Sequence, residues 1–226
     1  MKKFILLSTQ RSGTTFLSEY MMTHPEIKMG RELFKNSSSG RNTDNNPYCK
    51  SNKSINNFLT EYYSTSIPVC GFKLMWNHFK QYPELQIYIE ENKIDIIYME
   101  RTNLLKTVVS RLSARQQQHY HSNHSIKFKP IELAITDIYQ ELDILSKTLL
   151  EIHTFLDKKS YLHINYEKFS TNHDKTLNKM QQYFDLTPYK LKCPLQKINS
   201  DTLVDVIKNY NEVYSFLIST KYASCL

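Results

Sequence analysis

Glycine is scarce in this chain: its 226 residues include four, at positions 13, 30, 40 and 71. All fall in the first third, so each marks a place where the backbone must turn tightly or approach a neighbour closely. Cysteine is equally sparse. Cys49, Cys70, Cys193 and Cys225 are scattered without a CxxC pair, which argues against a zinc site and a disulfide framework. Cys225 stands second from the end, where the fourth-last position is the one prenylation uses, so a prenyl anchor is not expected. No apolar run approaches the ~20 residues of a membrane span. The basic start Met1-Lys2-Lys3 leads only into Phe4-Ile5-Leu6-Leu7, short of the ~7–15 residues of a signal-peptide core. A strong charge bias is missing too, since 29 Lys and Arg minus 22 Asp and Glu leave +7. That excess suits an anionic ligand and falls short of a nucleic-acid binder. The expectation is a soluble, cytoplasmic protein with one domain over residues 1–226, large enough to need no metal or disulfide support.

Apolar runs and helical spacings alternate along the chain. Lys3–Ser8 reads as a strand, followed by Thr9-Gln10-Arg11-Ser12-Gly13-Thr14-Thr15. Phe16, Leu17, Tyr20 and Met21 then fall at helical spacing. Further strands are expected at Ile27–Gly30, Pro68–Trp76, Asp95–Met99 and Tyr161–Ile164. Helices are expected over residues 78–92, 173–185 and 202–219, and behind the fourth strand, where Leu104, Leu105, Val108, Val109 and Leu112 make a stripe. Ile135, Ile138, Leu142, Leu145, Leu149, Ile152 and Leu156 form a heptad stripe, read either as a core face or as the seam of a homodimer. Two polar excursions, residues 36–57 and 116–129, interrupt the pattern as surface loops or lids. The alternation predicts an α/β, P-loop-like, three-layer domain with a central, mainly parallel sheet flanked by helices.

The first strand–helix turn is the place where such folds hold phosphate. Backbone N–H groups and the helix dipole favour an anion there, Ser12, Thr14 and Thr15 add hydroxyls, and Arg11 adds a fixed charge. The Walker pattern GxxxxGK[ST] is absent, because Gly13 is followed by Thr and no Gly stands five residues before it. The loop therefore suits a phosphate-like group outside Mg-nucleoside-triphosphate chemistry. An ordinary hydroxyl cap after a strand is the other reading.

Arg11-Ser12-Gly13-Thr14-Thr15-Phe16-Leu17 resembles the 5′-phosphosulfate loop of sulfotransferases that use 3′-phosphoadenylyl sulfate (PAPS). A second motif, Arg101 at a strand end followed by Ser110 in the next helix, has the spacing of that family's 3′-phosphate pair. Gly71–Trp76, the run from Arg101 through Arg115 to Gln116, Asn165-Tyr166-Glu167, and a tail from Lys197 to Tyr222 resemble the bacterial carbohydrate-type branch, which includes nodulation-factor and trehalose sulfotransferases. The resemblance implies an enzyme that takes its sulfuryl group from PAPS, releases PAP and needs no metal. Arg11, Ser12, Gly13, Thr14 and Thr15 would hold the 5′-phosphosulfate, and Arg101 and Ser110 the 3′-phosphate. The Gly-rich segment that also contacts the 3′-phosphate elsewhere in the family is missing, with Lys197 as its stand-in. The loop opens with Arg11 where cytosolic members carry Lys.

The resemblance also makes Glu32, in Gly30-Arg31-Glu32-Leu33-Phe34, the general base for an acceptor hydroxyl on a carbohydrate, glycolipid or other small molecule. Its plainer alternative is a surface carboxylate paired with Arg31 or Lys35. His24 and His78 are the rival bases. Lys73 either lines the cleft or snorkels at a sheet edge, and Trp76 either walls the acceptor or packs in the core. Arg115 is a weaker candidate for the nucleotide phosphate or the acceptor. His119, His121 and His124 sit in a polar loop better suited to the acceptor than to a metal. Two other functions stay open: a divergent kinase-like phosphotransferase, requiring Mg-ATP, and a non-catalytic nucleotide-binding module.

Overall fold

Five short apolar runs pair into one parallel sheet. The computed structural model describes residues 1–35, 47–117, 130–193 and 202–226. The strands β1 (Lys2–Ser8), β2 (Ile27–Glu32), β3 (Val69–Met75), β4 (Asp95–Glu100) and β5 (Tyr161–Asn165) run in the order β2-β3-β1-β4-β5, and every pairing is parallel. The helices are α1 (Thr14–Met21), α2 (Pro47–Ser51), α3 (Ile55–Tyr63), α4 (Trp76–Gln81), α5 (Glu84–Glu91), α6 (Leu104–Gln117), α7 (Ile135–Leu156), α8 (Tyr166–Thr171), α9 (His173–Tyr183), α10 (Leu203–Val206) and α11 (Tyr210–Leu217). The α/β class and the parallel sheet are as the alternation predicted. No helix of the described residues is long and apolar enough to cross a membrane.

The chain divides into two compact units. The first comprises Met1–Glu100 and Phe155–Cys193 and contains the whole sheet. Its central strands are apolar on both faces because helices cover both. On one face, Phe4, Leu6, Ile97 and Met99 pack with Leu17 and Met21 of α1, Phe169 of α8, and Leu177 and Met180 of α9. On the other, Phe72 meets Tyr62 and Tyr63 of α3. The connection after β1 leads toward β3 and β2, whereas β4 leads on to β5. In open α/β sheets such a reversal marks the ligand crevice at the strands' carboxyl ends.

The second unit comprises Arg101–Thr154 and Pro194–Leu226. Leu105, Val108, Val109 and Leu112 of α6 pack there with Ile138, Leu142 and Leu145 of α7 and Val213 and Leu217 of α11. The heptad positions Ile138, Leu142, Leu145, Ile152 and Leu156 are all buried within the chain, so this stripe is a core face.

Two expected helices are broken. Residues 78–92 form α4 and α5 because Pro83 cannot continue the α4 ladder and pushes Tyr82 to φ −133°, ψ 78°. Residues 202–219 form α10 and α11 because Ile207 is extended and bridges Ile131, with Ile131 N–H donating to Val206 at 2.9 Å and Lys208 N–H to Ile131 at 2.8 Å. Asn209 secures this turn by donating to the Leu133 carbonyl at 2.9 Å and accepting the Leu133 N–H at 3.1 Å.

Gly71 on β3 lies against the ring of Phe4 on β1, and a Cβ there would stand 2.4 Å from ring carbons. Phe4 is completely buried, so the ring has nowhere to yield. Gly71→Ala is expected to cost about 1–3 kcal/mol through overpacking, lowering Tm by several degrees. An unchanged melting curve would show that the sheet absorbs the methyl group.

Candidate functional site

The site begins where β1 ends. Ser8 donates its hydroxyl to the Met99 carbonyl of β4 at 2.5 Å, tying the loop root to the neighbouring strand. Arg11 and Gly13 then adopt left-handed conformations, with φ of 67° and 84°. These flank Ser12, whose hydroxyl hydrogen-bonds that of Thr9 at 2.8 Å. At position 13 only glycine fits, because a Cβ would come within 2.3 Å of the Tyr166 ring. The left-handed Arg11 costs about 1–2 kcal/mol locally. Such alternating backbone turns, feeding the start of α1, make an anion cradle. Ser12 and Thr14 are buried, and Arg11, Gly13 and Thr15 are half-buried.

From this cradle a polar line crosses the sheet. Lys73, 4% exposed on β3, donates to the Thr15 hydroxyl at 2.9 Å and pairs with Glu32 at 3.1 Å. β3 is an interior strand, so the sheet-edge alternative for Lys73 does not apply. The register of β2 against β3 slips at Arg31, so that Gly30 faces Phe72 but Glu32, not Arg31, faces Lys73. A β-bulge of this kind re-aims one side chain. Here it exchanges a cation for a carboxylate opposite the buried ammonium. Arg31 turns instead to Glu19 at 2.9 Å. The surface-pair alternative for Glu32 is therefore not what forms.

Burial alone would raise the Glu32 pKa, but the charge and hydrogen bond of Lys73, aided by Lys35 and His78, hold it below the ordinary carboxylate value. Burial likewise lowers the ammonium of Lys73, against the pull of Glu32. His78, at the start of α4, accepts the Met75 N–H on Nδ1 at 3.2 Å. The neutral ring thus carries its proton on Nε2, and burial pushes its pKa down to about 4. With one nitrogen occupied and the other protonated, His78 is not arranged as a base. His24 has both ring nitrogens engaged, with the Glu26 N–H and the Thr187 carbonyl, each at 3.1 Å.

The remaining candidates lie on other elements or outside the described residues. Arg101 is the residue after β4, and Ser110 lies buried in α6. Arg115 pairs with Glu141, which also binds Arg111 at 2.8 Å. Trp76 packs against Phe79 and Phe155 at ring separations of 5.1 and 5.5 Å. Lys197 and His119, His121 and His124 lie outside the described residues. Among the described residues no cluster of potential metal ligands occurs. The bulge at Arg31 and the bond from Lys73 to Thr15 were not visible in the sequence. The one hint was a glycine followed by two opposite charges at Gly30-Arg31-Glu32.

A family model for the sulfotransferase domain matches residues 1–216. The chain belongs to this family. Sulfuryl transfer is accordingly its general reaction, and the expected family is borne out. A sulfotransferase from Alicyclobacillus acidocaldarius aligns over 100% of this chain and 92% of its own, at 12% identity and a TM-score of 0.57. The sulfotransferase domain of the curacin biosynthetic pathway aligns over 100% and 83%, at 15% identity and 0.57. A mouse sulfotransferase solved in complex with PAP aligns over 84% and 60%, at 17% identity and 0.53. These likenesses concern the fold. No curated protein matches the chain.

Two outcomes test the electrostatics around Lys73. In Lys73→Met, Glu32 keeps its burial and loses its counter-ion, so its pKa should rise above ~4.3. Carboxyl NMR titration reads this directly, and an unmoved value would remove Lys73 as the cause. The second concerns pH. An unfolded chain protonates His78 below ~6.5 while the buried ring resists down to about 4, so this group's contribution to stability is present above ~6.5 and drains away as pH falls. The difference is about 3 kcal/mol across that window. His78→Gln should lose about 2 kcal/mol less than the parent in urea melts between pH 7 and 4.5. Parallel losses would mean that the ring is not held neutral.

Proposed function

We propose that the protein moves a sulfuryl group from PAPS to a hydroxyl of a carbohydrate, glycolipid or other small acceptor, with Glu32 as general base. The observation that carries this reading is the line from Thr15 through Lys73 to Glu32, which joins a cradle built for an anion to a carboxylate at the adjoining strand end. The cradle fits a phosphosulfate: left-handed turns at Arg11 and Gly13, buried hydroxyls on Ser12 and Thr14, and no bulk tolerated at position 13.

In this reading Glu32 takes the acceptor proton on Oε2, since Oε1 faces Lys73. The acceptor oxygen forms the new O–S bond as the bond from sulfur to the bridging phosphate oxygen breaks, and PAP departs with the charge. Arg11 and the N–H groups of the loop stabilise that charge where it develops. Lys73, by donating to Thr15 Oγ1, obliges the Thr15 hydroxyl hydrogen to point to a different partner, and we assign it to the phosphosulfate. Arg101 and Ser110 hold the 3′-phosphate, with Lys197 added to them, and no metal takes part. Residues 1–226 act as one sulfotransferase-like domain. The bacterial carbohydrate-type branch is supported by the Arg11 loop and the Gly30–Phe34 segment. The four free cysteines suit a cytoplasmic setting, where thiols stay reduced.

Thermal shift with PAP against Mg-ATP tests the donor. A ligand at a hundred times its Kd adds about 2.7 kcal/mol, or about 5–10 °C for a domain of this size. The rise is expected with PAP and should shrink in Arg101→Ala. A rise with Mg-ATP alone would favour a kinase-like phosphotransferase. Glu32→Gln should keep the PAP response and lose about 10²–10⁴ in kcat. Full activity in that variant would remove Glu32 as the base, and PAP binding by a parent inactive towards every acceptor would indicate a binding module.

A further inference from the structure

Thr9 has no part in the scheme above, yet it is hydrogen-bonded into the middle of the anion cradle. Its hydroxyl and that of Ser12 stand 2.8 Å apart, and both residues are buried. Thr9 follows β1 directly, whereas Ser12 lies between the left-handed Arg11 and Gly13. The bond therefore closes the turn and holds the Ser12 side chain against a fixed point at the strand end.

Each hydroxyl carries one hydrogen. The bond between them uses one of the two, so its direction decides which oxygen presents a hydrogen to its surroundings. Were Ser12 the donor, its oxygen would turn only lone pairs towards a bound anion, which repel it. The start of α1 supplies no acceptor in compensation. Its N-cap is Gly13, which has no side chain, and the groups that open a helix are N–H donors. With an anion in the cradle the favourable order runs from Thr9 to Ser12, and from Ser12 to the ligand. A hydroxyl that accepts a hydrogen bond also becomes a stronger donor. The same order holds at Thr15, whose oxygen accepts from Lys73 at 2.9 Å.

Resting on the sulfuryl-transfer reading, we infer that Thr9 is a positioning residue for the donor: it donates to Ser12 Oγ and thereby directs the Ser12 hydroxyl hydrogen onto the 5′-phosphosulfate. Its effect is confined to that end of the nucleotide, because the 3′-phosphate is assigned to Arg101 and Ser110.

The test compares two probes, PAP and adenosine 3′-phosphate, which lacks the 5′-phosphate. In calorimetric titrations Thr9→Val, which keeps the branched shape and removes the hydroxyl, should bind PAP about three- to tenfold more weakly, the worth of one hydrogen bond. It should bind adenosine 3′-phosphate as the parent does, and Thr9→Ser should restore the PAP affinity. In a Ser12→Ala background Thr9→Val should weaken PAP no further, because Thr9 acts through Ser12. Equal losses for both probes would reduce Thr9 to a structural role and overturn the assignment. Unchanged PAP affinity in Thr9→Val, or losses that multiply in the double variant, would overturn it as well. Should Thr9→Val fold poorly, the parent decides: PAP should move the Ser12 hydroxyl proton downfield in ¹H NMR, and a proton indifferent to PAP counts against the assignment. A parent that binds no PAP overturns instead the sulfuryl-transfer reading on which it rests.

Discussion

One buried ammonium organises this site. Lys73 sits on an interior strand among apolar neighbours, and taking its charge out of water costs several kcal/mol unless partners replace the solvent. The partners are the Thr15 hydroxyl at 2.9 Å and the Glu32 carboxylate at 3.1 Å. Each comes from a different element, α1 and β2, so the helix that follows the β1 turn and the strand that carries Glu32 are both referred to the same nitrogen. Removing Glu32 would leave a charge stranded in the sheet, and removing the Thr15 hydroxyl would leave one donor of that charge unmatched, which is why the three residues are best regarded as a unit.

The backbone bends to serve this unit. A regular continuation of β2 would have set Arg31 opposite Lys73, two cations in one apolar layer. The slip between Gly30 and Glu32 avoids that contact. In the loop after β1, Arg11 and Gly13 occupy left-handed conformations that an unconstrained chain would visit rarely. Those local costs are sustained by strands buried on both faces, where Phe4, Leu6, Leu7, Phe72 and Leu74 are essentially inaccessible. His78 adds a rigid neutral dipole at the head of α4 without placing another charge beside the pair.

Much of the architecture was legible from periodicity. Strands buried on both faces read as short continuous apolar runs, and the stripe on α7 as steps of three and four, because burial imposes those patterns on the chain directly. The breaks were harder to see. Pro83 carried its own warning, since it cannot donate a helical hydrogen bond. Ile207 carried none: it fits the apolar stripe of a continuous helix, and only its bridge to Ile131, far away in sequence, draws it into extended conformation.

The site divides in the same way. The hydroxyl-rich loop with Gly13 was identifiable from residue type and order, because anion binding at a strand–helix turn is a local property of the chain, whereas the Arg101 and Ser110 pair and Glu32 came from the family resemblance. The sequence by itself determined the α/β class, the family and the candidates for each role. Tertiary structure decided the partners: that Lys73 is interior, that Glu32 rather than Arg31 faces it, and that Tyr166 closes the space beside Gly13. Each of these depends on sheet order, register or a packing contact between segments distant along the chain, and no pattern of neighbouring residues encodes them.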